Sequence, residues 1–367
     1  MNEEKELGLL RDKIDSLDQQ IQQLINDRAN CAKQVADVKQ KYAQGEKIQF
    51  YRPEREAQVL RKVMDRNKGP IANEDMARIF REIMSMCLAL EEPLKVAFLG
   101  PQGTFTQAAT LKHFGHSVMC ESQVSIGDVF REVESGAVQY GVVPVENSTE
   151  GVVTHTLDSF TQSPLQICGE VALRIHHHFL LKDELNQEGV GKLNKVYSHP
   201  QSLAQCRQWL DTHWSQLERI PVSSNAEAAK RASQENNAAA IAGDAAAQLY
   251  GMNIQSNSIE DMPDNTTRFL IIGRKKTGAS GSDKTSIMVS SRNQSGALYQ
   301  VLEPFHKASV SLTRIETRPS RNGAWNYNFF IDFEGHVEDA SMSKVLEEVG
   351  EAASELKLLG SYPKAVL

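Results

Sequence analysis

From Leu7 to Val38 apolar side chains return every three or four positions, at Leu7, Leu10, Ile14, Leu17, Ile21, Leu24, Cys31, Val35 and Val38. That period belongs to a packed α-helix of about ten turns. One heptad column reads Ile14, Ile21, Arg28, Val35, so a guanidinium falls among apolar neighbours. An unpaired charge in a core is costly, so Arg28 requires an anionic partner, or a stem that carries its head out to water. Arg11 and Lys39 flank the same stripe. At the helical rise Arg28 and Lys39 stand roughly 16 Å apart, within joint reach of one small anion, whereas Arg11 and Lys39 stand roughly 42 Å apart. If all three serve one kind of site, Arg11 comes from a second copy of the chain. The spacing thus predicts an intertwined homodimer or a higher even-numbered homo-oligomer.

The helical pattern breaks at Gln44-Gly45 and resumes after Arg52-Pro53 as a second helix over residues 54–66, ended by Lys68-Gly69-Pro70. A third helix is expected from Asn73, read as its N-cap with Met76 at N3, through Ile79-Phe80, Ile83 and Cys87 to Leu90. From Lys95 short apolar runs alternate with amphipathic stretches: Val96-Ala97-Phe98-Leu99, Gly141-Val142-Val143-Pro144-Val145, Lys195-Val196-Tyr197, Ala238-Ala239-Ala240-Ile241 and Phe269-Leu270-Ile271-Ile272. Such alternation predicts an α/β module with mostly parallel sheets, and its length suits two lobes with a cleft between them. Residues 275–283, rich in Gly, Ser and Lys, read as a linker that lets the last module move. Beyond it the expected order is a strand over 286–291, a helix over 297–307, strands over 310–316 and 327–333, a helix over 340–353 and a strand over 356–362. That βαββαβ order is ferredoxin-like. The fold class is therefore multi-domain: an all-α module over residues 1–92, a two-lobed α/β module over 95–273 and a ferredoxin-like module over 284–363.

The 367 residues carry 40 Lys and Arg against 47 Asp and Glu, a formal charge of −7. That balance disfavours nucleic acid and acidic membranes as partners. No stretch approaches the ~18 unbroken apolar residues of a membrane span, and the acidic start Met1-Asn2-Glu3-Glu4 lacks the build of a secretory signal. A cytoplasmic location is expected. The five cysteines are scattered and never spaced Cys-x-x-Cys, against a disulfide framework or a zinc knuckle.

Arg55-Glu56 opens the second helix, and Cys87 and Glu91 stand one turn apart on the third. With Arg11, Arg28 and Lys39, this layout over residues 7–91 resembles the all-helical chorismate mutases. The resemblance implies that the arginines hold the two carboxylates of chorismate, that Lys39 lies near its ether oxygen, that Glu56 orients the ring hydroxyl, and that Cys87 and Glu91 line the site. The implied Claisen rearrangement to prephenate needs no cofactor, nucleophile or proton transfer. Arg52 stands where an aspartate often sits, and Glu91 where a glutamine donates to the ether oxygen. An ionised carboxylate only accepts hydrogen bonds, so Glu91 is expected to work protonated, at mildly acidic pH or with a pKa raised by burial.

In the middle module Gly100-Pro101-Gln102-Gly103-Thr104-Phe105-Thr106-Gln107-Ala108-Ala109 follows a strand and opens a helix, where free backbone N–H groups can bind anions. It lacks both the dinucleotide and the P-loop glycine patterns, against nucleotide binding. Val143-Pro144-Val145-Glu146-Asn147-Ser148-Thr149-Glu150-Gly151, Tyr197-Ser198-His199-Pro200-Gln201-Ser202-Leu203-Ala204-Gln205-Cys206 and Asn265-Thr266-Thr267-Arg268-Phe269 follow in that order. Together these look like the prephenate dehydratase signatures. They imply Thr267 as proton donor in the conversion of prephenate to phenylpyruvate, with Thr104, Thr106, Asn147, Ser148, Ser198, Gln201, Gln205, Arg268 and Phe269 around the substrate. His176-His177-His178 invites a metal reading, but adjacent strand residues face opposite sides. Glu146 and Glu150 could pair as carboxylates, and His199 before Pro200 suits a turn.

Gly296-Ala297-Leu298 and Glu316-Thr317-Arg318-Pro319 resemble the phenylalanine-binding segments of ACT domains, which bind the amino acid between paired modules. The whole chain resembles the bifunctional P-protein family, in which a chorismate mutase is joined to a prephenate dehydratase with a C-terminal ACT domain. The implied partners are chorismate, prephenate and L-phenylalanine as feedback inhibitor. Three alternatives stay open: a two-lobed amino-acid sensor without catalysis, a helical module kept only for dimerisation, and arogenate as preferred substrate.

Overall fold

The computed structural model describes residues 3–43, 50–183, 193–291, 294–320 and 327–367. The expected break at Gln44-Gly45 lies outside them. The chain folds into two compact bodies, one drawn from residues 1–52, 60–94 and 114–119, the other from 53–59, 95–113 and 120–367.

Three helices build the N-terminal part: α1 (Glu3–Tyr42), α2 (Pro53–Arg66) and α3 (Asn73–Glu91). Pro53 suits the first turn of α2, where its missing N–H goes unmissed. The N-cap of α3 is Ala72, not the expected Asn73, whose side-chain oxygen instead accepts from Asn67 Nδ2 at 2.9 Å. Of the 40 residues of α1 only Ala36 is buried. The apolar stripe itself, Leu7 through Val38, is between 43% and 67% exposed apart from Cys31, which is also exposed. Arg28 is accordingly half-buried rather than buried.

The second body holds three sheets. The first runs β2 (Met119–Gln123), β1 (Lys95–Leu99), β3 (Tyr140–Asn147), β11 (Thr266–Gly273), β5 (Gln166–Arg174), with the short β4 (Gly151–Val152) beside β3. The second runs β10 (Asn253–Ser256), β6 (His178–Leu181), β9 (Ala238–Ala242), β7 (Lys195–Ser198), β8 (Glu218–Pro221). These are the two expected lobes, but the sheets are mixed, not mostly parallel. β11 lies antiparallel to β3 and β5, and β6 antiparallel to β9. The cause is topological: β5 carries the chain out of the first lobe and β11 brings it back alongside, so the returning strand inserts reversed.

The third sheet, β13 (Leu312–Pro319), β14 (Tyr327–Glu334), β12 (Asp283–Ser291), β15 (Glu355–Pro363), is antiparallel throughout and carries α11 (Ala297–Lys307) and α12 (Ala340–Ala352) in the expected ferredoxin-like order. One face of the sheet packs on these helices through Ile287, Val289, Phe329, Ile331 and Phe333. The other joins the core of the first lobe, where Met288, Phe330, Leu359 and Tyr362 pack with Phe130, Phe160, Ile167 and Leu270. Gly360, at φ +152°, lets β15 approach β5 closely, since a Cβ there would meet the Ile167 carbonyl oxygen. The stretch over 275–283 is no loose tether: Thr277, Ser280 and Asp283 are buried. The Ser280 N–H donates to Asp283 Oδ2 at 2.9 Å, so side chain-to-backbone bonding pins a composition that reads as flexible.

Candidate active sites

On the helical body Arg28 and Lys39 act as nearby positive charges on Glu91 at the end of α3. Burial raises the Glu91 pKa above the ordinary carboxylate value and prevails over those two charges, which pull it down. Lys39 Nζ lies 3.4 Å from the Phe50 carbonyl oxygen and 5.3 Å over the Phe50 ring centroid. Cys87 is buried one turn before Glu91. Arg55 and Glu56 occupy the first turn of α2. Arg11 is exposed on α1.

The second site is a cleft of ≈ 500 Å³ in the two-lobed module. Thr104, Thr106, Asn147, Gln201, Gln205 and Thr267 line it, as the sequence motifs suggest. Four other expected residues do not. Ser148 ties down the start of β11, its hydroxyl accepting the Thr266 N–H at 2.9 Å. Ser198 is fully buried, its Oγ 3.0 Å from Asn225 Oδ1 and 2.9 Å from the Ile241 carbonyl oxygen, so it supports a residue that lines the cleft instead of lining it. Phe269 is a core residue.

Arg268 is the largest departure. Successive strand residues face opposite sides of a sheet, so with Thr267 in the cleft Arg268 points toward the C-terminal sheet. There it donates to Glu170 Oε2 at 2.8 Å, Asp332 Oδ2 at 2.7 Å and the Tyr362 hydroxyl at 2.9 Å. Burial works against its charge, but Tyr362, Asp332 and Glu170 outweigh that and hold its pKa raised. Glu146 lies on this side too, pairing with Arg268 and with Arg314 Nε at 2.7 Å. Glu150 lines the cleft, which ends the idea of a Glu146–Glu150 carboxylate pair.

A register shift beside Arg268 leaves Val145 without a register partner in β11 and sets Asn147 directly opposite Thr267. Asn147 Nδ2 donates to Thr267 Oγ1 at 2.7 Å and to Asn265 Oδ1 at 2.8 Å. Its Oδ1 accepts the backbone N–H groups of Thr149 and Glu150 at 2.9 and 3.0 Å. The Thr267 oxygen is thus an acceptor from Asn147, which leaves its own O–H to donate into the cleft.

No arginine or lysine is among the described residues lining this cleft. It is instead surrounded by helix starts: α4 (Phe105–Phe114), α6 (Thr154–Gln162) and α9 (Asn225–Ser233) place Thr104, Thr154 and Asn225 on its wall. The glycine-rich loop before α4 contributes less than its composition promises, because the Gly103 N–H is taken by Gln107 Oε1 at 2.6 Å, and Gln102 stays outside. His155, His177, His199, Asn225 and Asn265 also line the cleft. Sequence reasoning does not single them out as site residues. Asn265 heads one of the motifs, and His199 caps the helix after it by accepting the Gln201 N–H, but Asn225 carries no local signal. Of the three adjacent histidines only His178 lies in a strand.

In the C-terminal module Gly296 precedes α11 at φ +82°, with Ala297 and Leu298 opening the helix and Leu298 exposed. Along β13 the exposed Thr317 and Pro319 alternate with Glu316 and Arg318. Arg318 is engaged by Asp158 of α6 through two hydrogen bonds of 3.1 Å, so its guanidinium serves the junction of two modules.

Family comparisons match this architecture in order: chorismate mutase type II over residues 10–92, prephenate dehydratase over 96–277 and the ACT domain over 285–351. Bifunctional chorismate mutase/prephenate dehydratases of Stutzerimonas stutzeri and Pseudomonas aeruginosa are 59% and 58% identical over 368 residues, covering 100% of each chain. Among solved structures, the prephenate dehydratase of Arthrobacter aurescens in complex with L-Phe superposes with a TM-score of 0.67 at 32% identity, covering 74% of this chain and 90% of that one. With three family segments in order and high identity sustained from end to end, the chain belongs to the bifunctional chorismate mutase/prephenate dehydratases.

Proposed function

We infer that the chain carries two successive reactions, rearrangement of chorismate to prephenate on the helical module and decarboxylation with dehydration of prephenate to phenylpyruvate in the cleft, with feedback inhibition by L-phenylalanine through the ACT domain. The observation that carries the second reaction is the Thr267 hydroxyl, whose oxygen is occupied by Asn147 while its proton is left for the cleft. The carbon–carboxylate bond breaks and its electron pair enters the ring. The ring carbon–oxygen bond then breaks, and the departing hydroxide takes the Thr267 proton and leaves as water. A threonine hydroxyl is a weak acid, sufficient here because aromatisation drives the step and because the amide N–H on its oxygen stabilises the developing alkoxide.

The absence of lysine and arginine from the described wall of the cleft fits the same chemistry. A fixed cation on the departing carboxylate would stabilise the ground state more than the transition state, in which that charge is leaving. Three helix N-termini offer a milder attraction, about 0.3–1 kcal/mol each, enough to orient a dianion without clamping it.

On the helical module catalysis is positioning plus stabilisation of charge on the breaking ether oxygen. Arg28, Lys39, Arg55, Glu56, Cys87 and protonated Glu91 from one chain, with Arg11 from a second, form the proposed site. The exposed stripe of α1 supports the second copy, because eight large apolar side chains on one helix face find no cover among the described residues. For the ACT domain, the Arthrobacter complex with L-Phe supports phenylalanine as the effector, and the site proposed for it is Gly296, Ala297, Leu298 and the Glu316 to Pro319 segment.

Supplied with prephenate, the purified chain should release phenylpyruvate, and Thr267→Ala should cut that turnover by at least about a hundredfold while chorismate is still rearranged. Retained dehydratase activity in Thr267→Ala would remove Thr267 from the role.

A further inference from the structure

The cleft contains a chain of amide groups whose donor and acceptor roles are each dictated by the next. Asn147 fixes one end: two backbone N–H groups occupy its Oδ1, so its NH₂ group must face Asn265 and Thr267. An NH₂ group does not accept, so Asn265 presents Oδ1 to Asn147 and turns its own NH₂ toward Gln205. Gln205 then presents Oε1, 3.0 Å from Asn265 Nδ2, while its Nε2 donates to the Glu150 carboxylate at 3.1 Å. The same Gln205 Oε1 lies 2.8 Å from His177 Nε2. An acceptor on that side requires a donor, so His177 carries its proton on Nε2.

The other nitrogen agrees with this assignment. His177 Nδ1 is buried with no partner among the described residues, which makes it the unprotonated nitrogen of a neutral ring whose one proton is engaged at Nε2. Burial also holds the ring below the ordinary imidazole pKa against the opposing influence of Gln205, so it stays neutral. The residue is held at two further points. Its backbone N–H donates to Glu260 Oε2 at 2.9 Å, and Phe105 meets it edge-on at 5.6 Å.

We propose that His177 is a positioning residue for the dehydration: as a fixed Nε2–H donor it locks Gln205, and through Asn265 it holds in place the Asn147 amide, whose N–H, oriented by Thr149 and Glu150, meets the Thr267 oxygen. The proposal rests on the reading of Thr267 as proton donor. With the chain oriented this way, the Thr267 proton cannot be drawn back into the network and points to substrate. Without the His177 donor, the Gln205 amide loses one of the two N–H groups on its oxygen, and the Asn265 and Asn147 geometry behind Thr267 loosens.

Four versions of the full chain test this with prephenate: His177→Met, His177→Gln, Thr267→Ala and the Thr267→Ala/His177→Met double variant. Methionine keeps volume without a donor, whereas a glutamine N–H can stand where Nε2–H stood. We expect His177→Met to lose about ten- to a hundredfold in kcat with KM within about twofold. His177→Gln should recover most of that loss. In the Thr267→Ala background His177→Met should cost less than about twofold, because its effect runs through the hydroxyl already removed. The proposal is overturned by unchanged kcat in His177→Met, by a glutamine variant no better than methionine, or by a double variant that shows the full product of the two losses. If Thr267→Ala itself keeps its turnover, the reading of Thr267 fails; if only the His177 variants do, Thr267 stands and the proposal alone falls.

Discussion

Two carboxylates and one arginine show how much a residue's role depends on what stands beside it. Glu91 is useful to a rearrangement that builds negative charge on oxygen only while it keeps its proton, and burial raises its pKa in that direction. The sign follows directly: a raised pKa keeps the acid form at low pH, so mutase turnover should be high there and fall as pH rises through that pKa. Glu91→Gln donates at every pH, so its kcat–pH profile should be flat where the parent's declines; matching profiles would exclude Glu91 as the donor. Arg268 makes the complementary case. Its partners Glu170 and Asp332 are themselves buried, so Arg268→Met takes from Asp332 its ion-pair partner among the described residues and leaves Glu170 with Lys284, and should cost about 3–5 kcal/mol in urea unfolding of the dehydratase module. A prephenate anchor would show instead as a raised KM with stability unchanged. Glu146, which also lies on this face of the sheet, pairs with both Arg268 and Arg314.

At the scale of elements, α1 carries an apolar stripe that its surroundings among the described residues do not cover. Its exposed stripe, and the ~42 Å between Arg11 and Lys39, lead to a prediction that does not depend on any substrate pose. Arg11→Ala and Arg28→Ala should each abolish mutase activity. Mixed under conditions that exchange subunits, the two inactive proteins should regain activity, because a mixed dimer holds one site with both lesions and one with neither. No recovery would place Arg11 and Arg28 in the same site of one chain. The elements legible in the sequence are those with a strong period or a continuous apolar run, such as α1, α11, β3, β9 and β11. β5 and β6 escape because Glu170 and His178 interrupt their apolar character, and each is buried by virtue of partners far along the chain, Arg268 and Lys284 in one case, the Ser258 N–H and Asp244 in the other. The site is legible to the same extent. Motif residues that reach the cleft directly can be found, while His177 and Asn225 cannot, because their roles come from hydrogen bonds spanning 28 and 27 residues. Thr267 and Arg268 read as one block in the motif although the period of a strand separates them.

For the molecule as a whole, the question is how an amino acid held on the ACT domain can be felt in a cleft it does not line, and α6 offers a physical route. Its first residues, Thr154 and His155, stand on the wall of the cleft. Asp158, one turn on, is held by the Arg318 guanidinium from β13. At its C-terminal end, Lys357 of β15 donates to the carbonyl oxygens of Phe160 and Ser163 at 2.8 and 2.7 Å. The helix is therefore gripped by two strands of the C-terminal sheet while its N-terminus faces the substrate. A shift of β13 on binding phenylalanine would be passed to the cleft through a rigid helix instead of being absorbed by a flexible joint, since the 275–283 segment is itself packed and hydrogen-bonded. Coupling of this kind requires phenylalanine to favour one arrangement of that contact over another. Asp158→Asn keeps the shape of the contact and removes its charge. It should leave dehydratase kcat without phenylalanine within about twofold while raising the half-inhibitory phenylalanine concentration at least about fivefold, a coupling loss of about 1 kcal/mol. Calorimetry on the same variant should still detect phenylalanine binding, which separates a weakened link from a lost site. Inhibition that stays at the parental concentration would mean that the signal bypasses α6.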